Sequence, residues 1–306
     1  MPVAVKAESV RVRVPAKVNL HLSVGQVRAD GFHEITTVFQ AVGVYDDVVA
    51  RVADGLHIQA VGDDIDDVPL DSSNLAWRAA QMLAEHAHVE PDVALELHKT
   101  IPVGGGMAGG SADAAAALVA CAHLWRTGTP RSELAELAAE LGSDVAFPLT
   151  GGTALGTGRG EQLTPVLATG AYDWVFAFAD YGIPAGDAYA ELDRLRATQR
   201  PPTASGSPDE VLDALRAGDC GRLADALSND LQAAALSLHP ELADVIDTGL
   251  SNGALAGIVS GSGPTCAFLC AHADAARELA ESLDESGTCR ATRVASSPAH
   301  GARVTG

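Results

Sequence analysis

The segment Pro102-Val103-Gly104-Gly105-Gly106-Met107-Ala108-Gly109-Gly110-Ser111 joins two patterns of different period. Before it, apolar residues alternate with others over 93–97, which predicts a strand. After it, residues 112–125 are rich in alanine, which predicts a helix. A glycine loop that opens a helix presents backbone N–H groups at the positive end of the helix dipole, where anions bind. The sequence therefore predicts a phosphate-binding loop.

Two well-known phosphate loops differ from this segment. Gly104-x-Gly106-x-x-Gly109 has the glycine spacing of the dinucleotide-binding fingerprint, but no acidic residue ends a strand about 20 positions later. No Gly-Lys-Ser/Thr follows, so the loop is not a Walker A motif. Neutralisation of a phosphate is then left to backbone amides, the Ser111 hydroxyl and Mg²⁺. A glycine turn without any ligand is the structural alternative.

The remaining periodicity predicts a mixture of strands and helices. Strands are predicted over 10–14 and 18–22 with a break at Pro15, and over 35–52, 56–61, 172–179, 256–260, 265–270 and 289–294. Helices are predicted over 75–87 after an Asn74 cap, 132–141, 187–196, 209–217, 219–236, 240–250 and 273–283. Residues 198–208 have the composition of a loop, and 295–306 are expected to fray. Because the elements lack regular βαβ alternation, the predicted class is α+β.

Composition limits the protein's partners. The 306 residues correspond to about two domains at roughly 150 residues each. Twenty basic against forty acidic side chains give a net charge of −20, which repels nucleic acid and anionic membranes alike. The five cysteines form no C-x-x-C pair, and the first residues have no secretory pattern. We therefore expect a cytoplasmic protein with reduced thiols and no nucleic-acid or membrane partner.

Three further features have a structural and a chemical interpretation. Lys17 is one of only three lysines, with Lys6 and Lys99, and its ammonium suits a reacting oxygen or a carboxylate. It could equally be a surface lysine at a strand edge. Asp144 could accept a hydroxyl proton in phosphoryl transfer or cap a short helix. The segment 259–265, with two glycines before a proline, could be a hairpin turn.

Taken together, these segments resemble the GHMP kinase superfamily in order and spacing. They also resemble the branch of it that phosphorylates the 2-hydroxyl of a cytidine-diphosphate-linked methylerythritol, on the way to isoprenoid precursors. The resemblance covers about residues 10–294 and rests on four segments in particular. These are Pro15-Ala-Lys-Val-Asn-Leu-His-Leu22, Arg28-Ala-Asp-Gly-Phe-His33, Gly142-Ser-Asp-Val-Ala-Phe147 and Gly158-Arg-Gly-Glu161.

The resemblance implies a fold and a set of site residues. An N-terminal α+β domain, residues 1–156, would precede a ferredoxin-like C-terminal domain, residues 157–306, with the site in the cleft between them. Lys17 and Asp144 would be the catalytic pair. ATP would bind Pro102, Val103, Gly104, Gly105, Gly106, Met107, Ala108, Gly109, Gly110 and Ser111, with Ser111 also at Mg²⁺. The cytidine-diphosphate substrate would meet Asn19, Phe32, His33 and Tyr189. No obligate protein partner is implied.

The chain departs from the superfamily's usual loop at two positions. Ala108 stands where a glycine is usual, and Ala112 stands where a second serine is usual. Because alanine disfavours positive φ, the loop is expected to follow a slightly different path. Homoserine and mevalonate kinases share the loop but lack the segment Arg28–His33, and they are the alternative function. A dinucleotide-binding oxidoreductase and a non-catalytic nucleotide-binding protein are alternatives from other classes.

Overall fold

The structure, a computed structural model, describes residues 9–62, 65–198 and 206–306. Lys6 and the interior of the loop predicted over 198–208 lie outside these ranges. The strands within them are β1 (Ser9–Val27), β2 (His33–Arg51), β3 (Leu56–Gly62), β4 (Val93–Lys99), β5 (Thr153–Thr157), β6 (Gln162–Pro165), β7 (Tyr172–Phe178), β8 (Ser228–Asn229), β9 (Ala256–Val259), β10 (Cys266–Cys270), β11 (Ala291–Ser297) and β12 (Arg303–Val304). The helices are α1 (Leu75–Ala87), α2 (Gly109–Trp125), α3 (Arg131–Leu141), α4 (Ala146–Thr150), α5 (Ala185–Thr198), α6 (Pro208–Ala217), α7 (Cys220–Ala226), α8 (Gln232–Leu238), α9 (Leu242–Ser251) and α10 (Ala273–Ser286).

The strands form two sheets. The first has the order β12-β1-β2-β4-β3, with β5 also on β2, β6 on β5 and β8 on β1. The second has the order β11-β7-β10-β9, and all its neighbours are antiparallel. β7, the first of these four strands in the chain, lies between β10, the third, and β11, the fourth. This is the strand order of a ferredoxin-like fold. The predicted α+β class is therefore confirmed, while the domain boundary after residue 156 remains a prediction.

Helix α2 lies at the centre of the first layer of helices. Apolar residues surround it on every side, so it is buried all round rather than along one stripe. It packs against α1, β1 and β2, and its alanines allow these neighbours to approach closely. Helix α1 begins where predicted, because the Asn74 side chain accepts a hydrogen bond from the Ala76 amide at 2.8 Å. The glycine loop thus leads into a buried helix.

The irregularity predicted at Pro15 is present as a β-bulge, but the two strands predicted on either side of it form one strand, β1. Pro15 pairs with Tyr45, whereas Ala16 already pairs with Val42, so the strand passes Pro15 at a β-bulge. A proline has no N–H to donate and is tolerated at such an irregularity. The bulge keeps Lys17 on a long, well-paired strand.

The single helix predicted over 219–236 is also wrong. It is interrupted at Ser228–Asn229, which pair in parallel with His21 and Leu22 of β1. The Asn229 amide donates to the carbonyls of Val259 and Gly261 at 2.8 and 2.7 Å. These long-range contacts replace the helical ladder and connect β1 to the loop between β9 and β10.

The expectation that residues 295–306 fray is wrong as well. Strand β11 runs to Ser297, and β12 pairs with Val12 and Arg13 of β1. Between them the Ala299 amide donates to the Ala41 carbonyl at 2.8 Å, and after β12 the Gly306 carbonyl accepts from the Arg11 amide at 2.7 Å. Residues 295–297 therefore belong to the second sheet, and the residues after them are bound to the first.

Two general expectations can be compared with the described residues. The five cysteines, all within these ranges, are free thiols. None of the helices described is both long and apolar enough to span a bilayer.

Candidate active site

Lys17 lies in the interior, so its interpretation as a surface lysine is wrong. Only 4% of the residue is exposed. Its ammonium donates to the Asn19 side-chain oxygen at 2.6 Å and to the Gly106 carbonyl at 2.7 Å. The Lys17 amide also donates to the Met107 carbonyl at 3.3 Å. Strand β1 thus holds the lysine directly against the glycine loop.

The glycine loop approaches other backbone too closely for a larger residue at Gly106. This residue has a φ of +75°, and a Cβ added there would lie 2.0 Å from the Ser260 carbonyl oxygen. The same loop opens α2, which begins at Gly109, three residues earlier than predicted. The first amides of α2 therefore lie at the end of the glycine loop.

The expected effect of Ala108 on the loop is corrected by the structure. Ala108 itself adopts the left-handed conformation, with φ 61° and ψ 36°, at the N-cap of α2. This conformation favours glycine, because in it the Cβ of an alanine lies too close to the following carbonyl oxygen. The backbone at Ala108 is therefore strained.

We expect Ala108→Gly to raise the free energy of unfolding by about 1 kcal/mol. Glycine relieves the left-handed strain of about 1–2 kcal/mol, but part of this gain is offset because glycine gives the unfolded chain more conformational entropy. Urea unfolding measures the change. The matched control is Ala116→Gly in the interior of α2, where the same deletion should destabilise by about 1 kcal/mol. If Ala108→Gly lowered the free energy of unfolding as Ala116→Gly is expected to do, strain at Ala108 would be contradicted.

The segment 259–265 forms the turn between β9 and β10, and these strands are antiparallel neighbours as a hairpin requires. The Ser260 hydroxyl donates to the Gly106 carbonyl at 3.1 Å. A Cβ added at Gly261 would lie 2.9 Å from the Lys17 ammonium and 3.3 Å from the Asn19 oxygen. The hairpin interpretation is therefore confirmed, and its turn also closes against Lys17. Three separate sequence motifs meet at the Gly106 carbonyl.

Asp144 lies half-buried between α3 and α4, within electrostatic range of two other site residues. Burial lowers the pKa of Lys17, and the negative charge of Asp144 partly opposes this shift. Burial also raises the pKa of Tyr189 to about 12, with Asp144 as the second cause. The interpretation of Asp144 as a helix cap is wrong, because Val145 precedes α4 and makes no side-chain cap. Lys17 and Asp144 thus interact electrostatically, while the hydrogen bonds of the Lys17 ammonium go to Asn19 and Gly106.

Of the four residues expected on the substrate side, Asn19 lies at Lys17, and the other three divide into two groups. His33 stacks on Tyr189 with ring centroids 5.1 Å apart and planes at 22°. Phe32 is 52% exposed and lies under the Arg159 guanidinium, 5.0 Å from its ring centroid. The structure thus brings His33 to Tyr189 and leaves Phe32 beside Arg159. Substrate binding by Phe32, His33 and Tyr189 remains a prediction.

Two contacts of these residues were missed from the sequence. The Asn19 amide donates to the Thr37 hydroxyl at 2.8 Å, which fixes the orientation of Asn19 towards Lys17. His33 Nε2 lies 3.0 Å from an Asp193 carboxylate oxygen. Asp193 follows Tyr189 by four residues on α5, and that spacing, which places both on one helix face, could have identified it.

The loop suits a nucleotide phosphate. The N-cap residue Ala108 offers no side-chain acceptor to the first amides of α2, so these N–H groups can bind an anion. A cavity of about 180 Å³ adjoins the loop, and its lining includes Val103, Gly105 and Arg290. Within the described ranges no group of three or more His, Cys, Asp or Glu could hold a metal ion. Half-buried Ser111 offers one hydroxyl oxygen, which fits a Mg²⁺ ion held mainly by phosphates and water.

Comparisons with known proteins identify the family of the chain. Two family models match, described as GHMP kinases N terminal domain over residues 74–153 and GHMP kinases C terminal over residues 211–289. The 4-diphosphocytidyl-2-C-methyl-D-erythritol kinase of Mycolicibacterium gilvum (strain PYR-GCK) is 57% identical over 299 residues, which cover 97% of this chain and 92% of the relative.

Solved structures are similar at two levels. A crystal structure of 4-(cytidine 5'-diphospho)-2C-methyl-D-erythritol kinase has a TM-score of 0.75 at 33% identity, covering 93% of this chain and 98% of that one. The homoserine kinase from Cytophaga hutchinsonii has a TM-score of 0.76 at 20% identity, covering 100% of both chains, and shows the fold alone. Together these matches show that the chain belongs to the 4-diphosphocytidyl-2-C-methyl-D-erythritol kinase family within the GHMP kinases.

Proposed function

We propose that this protein transfers the γ-phosphoryl group of ATP to the 2-hydroxyl of 4-diphosphocytidyl-2-C-methyl-D-erythritol, in the non-mevalonate route to isoprenoid precursors. The observation that carries the proposal is the convergence of Lys17, the glycine loop and the Ser260 turn at the Gly106 carbonyl, with the Asp144 charge acting on Lys17. A lysine, a carboxylate and a set of free helix amides at one point suit phosphoryl transfer, which depends mainly on positioning and charge stabilisation.

The glycine loop would hold the nucleotide. The amides of residues 104–111 would bind the β- and γ-phosphates at the N-terminus of α2, where the helix dipole favours negative charge. Ser111 would help to hold a Mg²⁺ ion, which would supply positive charge to the phosphates. The loop has no lysine of its own, so both contributions are needed in a chain of net charge −20.

Lys17 and Asp144 would act on the reacting hydroxyl. As the hydroxyl oxygen forms its bond to the γ-phosphorus, its proton passes to the Asp144 carboxylate, and the bond to the β-phosphate oxygen breaks to release ADP. The Lys17 ammonium, held by Asn19 and Gly106, would approach the hydroxyl oxygen and keep the carboxylate ionised. The two short hydrogen bonds of Lys17 leave it little rotational freedom, which favours a fixed point of charge.

The cytidine end of the substrate would occupy the other side of the cleft. His33, oriented by Asp193, would read the edge of the cytosine, and the ring of Tyr189 would stack on its face. In the described structure the His33 ring stacks on the Tyr189 ring, so the two side chains lie together at the proposed cytidine site. Phe32, exposed beside Arg159, is available to cover the opposite face.

The test is direct detection of phosphorylation by phosphorus NMR with ATP, Mg²⁺ and the cytidine-diphosphate substrate. We expect a new phosphomonoester signal and equimolar ADP. Homoserine and mevalonate serve as alternative acceptors, and preferential turnover of either would overturn the assignment. Thermal protection by NADH rather than by ATP would instead favour a dinucleotide-binding protein.

Removal of divalent cations is expected to lower turnover by at least about 10²-fold, because the loop alone supplies too little positive charge to the phosphates. Phosphorus NMR is again the measurement, since enzymes used in coupled assays need Mg²⁺ themselves. Excess Mg²⁺ added after EDTA should restore the rate and serves as the control. Turnover that persists in EDTA would contradict a role for the metal.

The setting of the reaction follows from the same proposal. The substrate is a freely diffusing small molecule, and we propose that the protein acts on it in the cytoplasm without an obligate protein partner. Its acidic surface disfavours nucleic acid and anionic lipid.

A further inference from the structure

A buried charge cluster lies beneath the glycine loop, away from the residues assigned to the reaction. It consists of Lys99 at the end of β4, Asp46 in β2 and Asp113 in α2, which are 4%, 0% and 3% exposed. We propose that these three side chains are positioning residues that set the spacing of the two ends of the phosphate loop. The inference rests on the proposed use of that loop for ATP.

The first tie is at the entry of the loop. One Asp46 carboxylate oxygen accepts hydrogen bonds from the amides of Thr100 and Ile101, at 2.6 and 2.9 Å. These two residues lie directly before Pro102, where the loop begins. Asp46 therefore fixes the direction in which the chain leaves β4.

The second tie joins the entry to the exit. The Lys99 ammonium donates to the other Asp46 oxygen, and it also donates to an Asp113 oxygen at 2.6 Å. Asp113 lies four residues after the first residue of α2, so the lysine links the helix that leaves the loop to the strand that enters it. The intervening residues contain Gly104, Gly106 and Ala108 in left-handed conformations, whose arrangement depends on fixed ends.

Stability alone does not account for such a cluster. Buried ion pairs contribute little net stability compared with apolar side chains of the same size, because desolvation offsets their attraction. Here two carboxylates share one ammonium, and the second oxygen of Asp113 has no hydrogen-bond partner in the described structure. Burial opposes the charge on Lys99, but the two carboxylates outweigh it and raise the pKa of the lysine.

The charge of Lys99 has a second use. A lone carboxylate in the second turn of α2 would repel phosphates bound at the start of the helix, and Lys99 compensates the Asp113 charge. With its side chain 2% exposed, Lys99 acts through the loop and not by contact with ATP.

The test compares ATP binding by calorimetry, without acceptor, in three single variants. Asp46→Ala removes the first tie and leaves Lys99 paired with Asp113 alone. It is expected to weaken ATP binding by about 10- to 100-fold, the range for misplacement of binding groups by about 1 Å. Asp46→Asn keeps an oxygen for the two amides and should lie between Asp46→Ala and the unmodified protein. The matched control is Asp47→Ala, which removes the neighbouring carboxylate on Arg13 and should leave ATP affinity unchanged.

A second measurement separates positioning from stability. The triple variant Asp46→Asn, Lys99→Met, Asp113→Leu has no buried charge and is expected to fold as well as the original. It should nevertheless bind ATP at least about tenfold more weakly, with the KM for the cytidine substrate changed less than the KM for ATP. Unchanged ATP affinity in folded Asp46→Ala or in the triple variant would overturn the inference. ATP binding without phosphorylation in the unmodified protein would instead overturn the proposed function alone.

Discussion

Asp144→Asn is expected to lower kcat by about 10²- to 10⁴-fold, the range for loss of a positioned acid or base. Asparagine keeps the size of the side chain but cannot accept the hydroxyl proton. Lys17→Met is expected to lower kcat by a similar factor, because it removes the charge held between Asn19 and Gly106. Steady-state kinetics with both substrates varied gives kcat, and circular dichroism with thermal unfolding checks that each variant folds.

The double variant tests whether the two groups act as a pair. If Asp144 needs the nearby lysine charge, the double variant should lose no more than the larger single loss, because residues that act as a unit are not additive. A loss equal to the product of the single losses would contradict the pairing. ATP binding measured without acceptor is the control, and it should change far less than kcat in Asp144→Asn.

Tyr189→Ala is expected to raise the KM for the cytidine substrate by about 5- to 150-fold, because base stacking contributes about 1–3 kcal/mol per base. The KM for ATP should barely change. Tyr189→Phe is the matched control, since it keeps the ring and should retain most of the affinity. Competition by free cytidine diphosphate gives an independent measurement of base recognition.

His33→Ala extends this test to the edge of the base. It should raise the same KM, and Asp193→Asn should raise it less, because the histidine keeps its ring but loses its fixed orientation. An unchanged KM for the cytidine substrate in both Tyr189→Ala and His33→Ala would remove these residues from the binding site.

Local patterns in the sequence were sufficient for most elements. Helix α1 and its Asn74 cap depend on a side chain and on amides close to it in the chain, and both are as predicted. The glycine loop and the helix after it were also predictable, because glycine content and alanine content are local signals. Lys17 and Asp144 were singled out in the same way, but no spacing in the sequence relates them to each other.

The errors lie where distant contacts decide the conformation. The break in the helix predicted over 219–236 depends on Asn229, whose amide bonds Val259 and Gly261 about 30 residues away. The last residues take up a regular structure because they pair with β1, at the other end of the chain. Asp46 offered one usable signal that was missed, since an aspartate inside a β-branched run has to find buried partners.

The pairing of β12 with β1 bears on how the protein forms during translation. Once residues up to Ser297 have left the ribosome, every strand of the β11-β7-β10-β9 sheet is present. The edge of β1 at Val12 and Arg13 stays unpaired until Arg303 and Val304 have been synthesised. Until then it is an open strand edge, which is the part of a sheet most prone to pair with other chains. A chain that has not yet been synthesised as far as Arg303 and Val304 is therefore open to pairing with other chains at Val12 and Arg13.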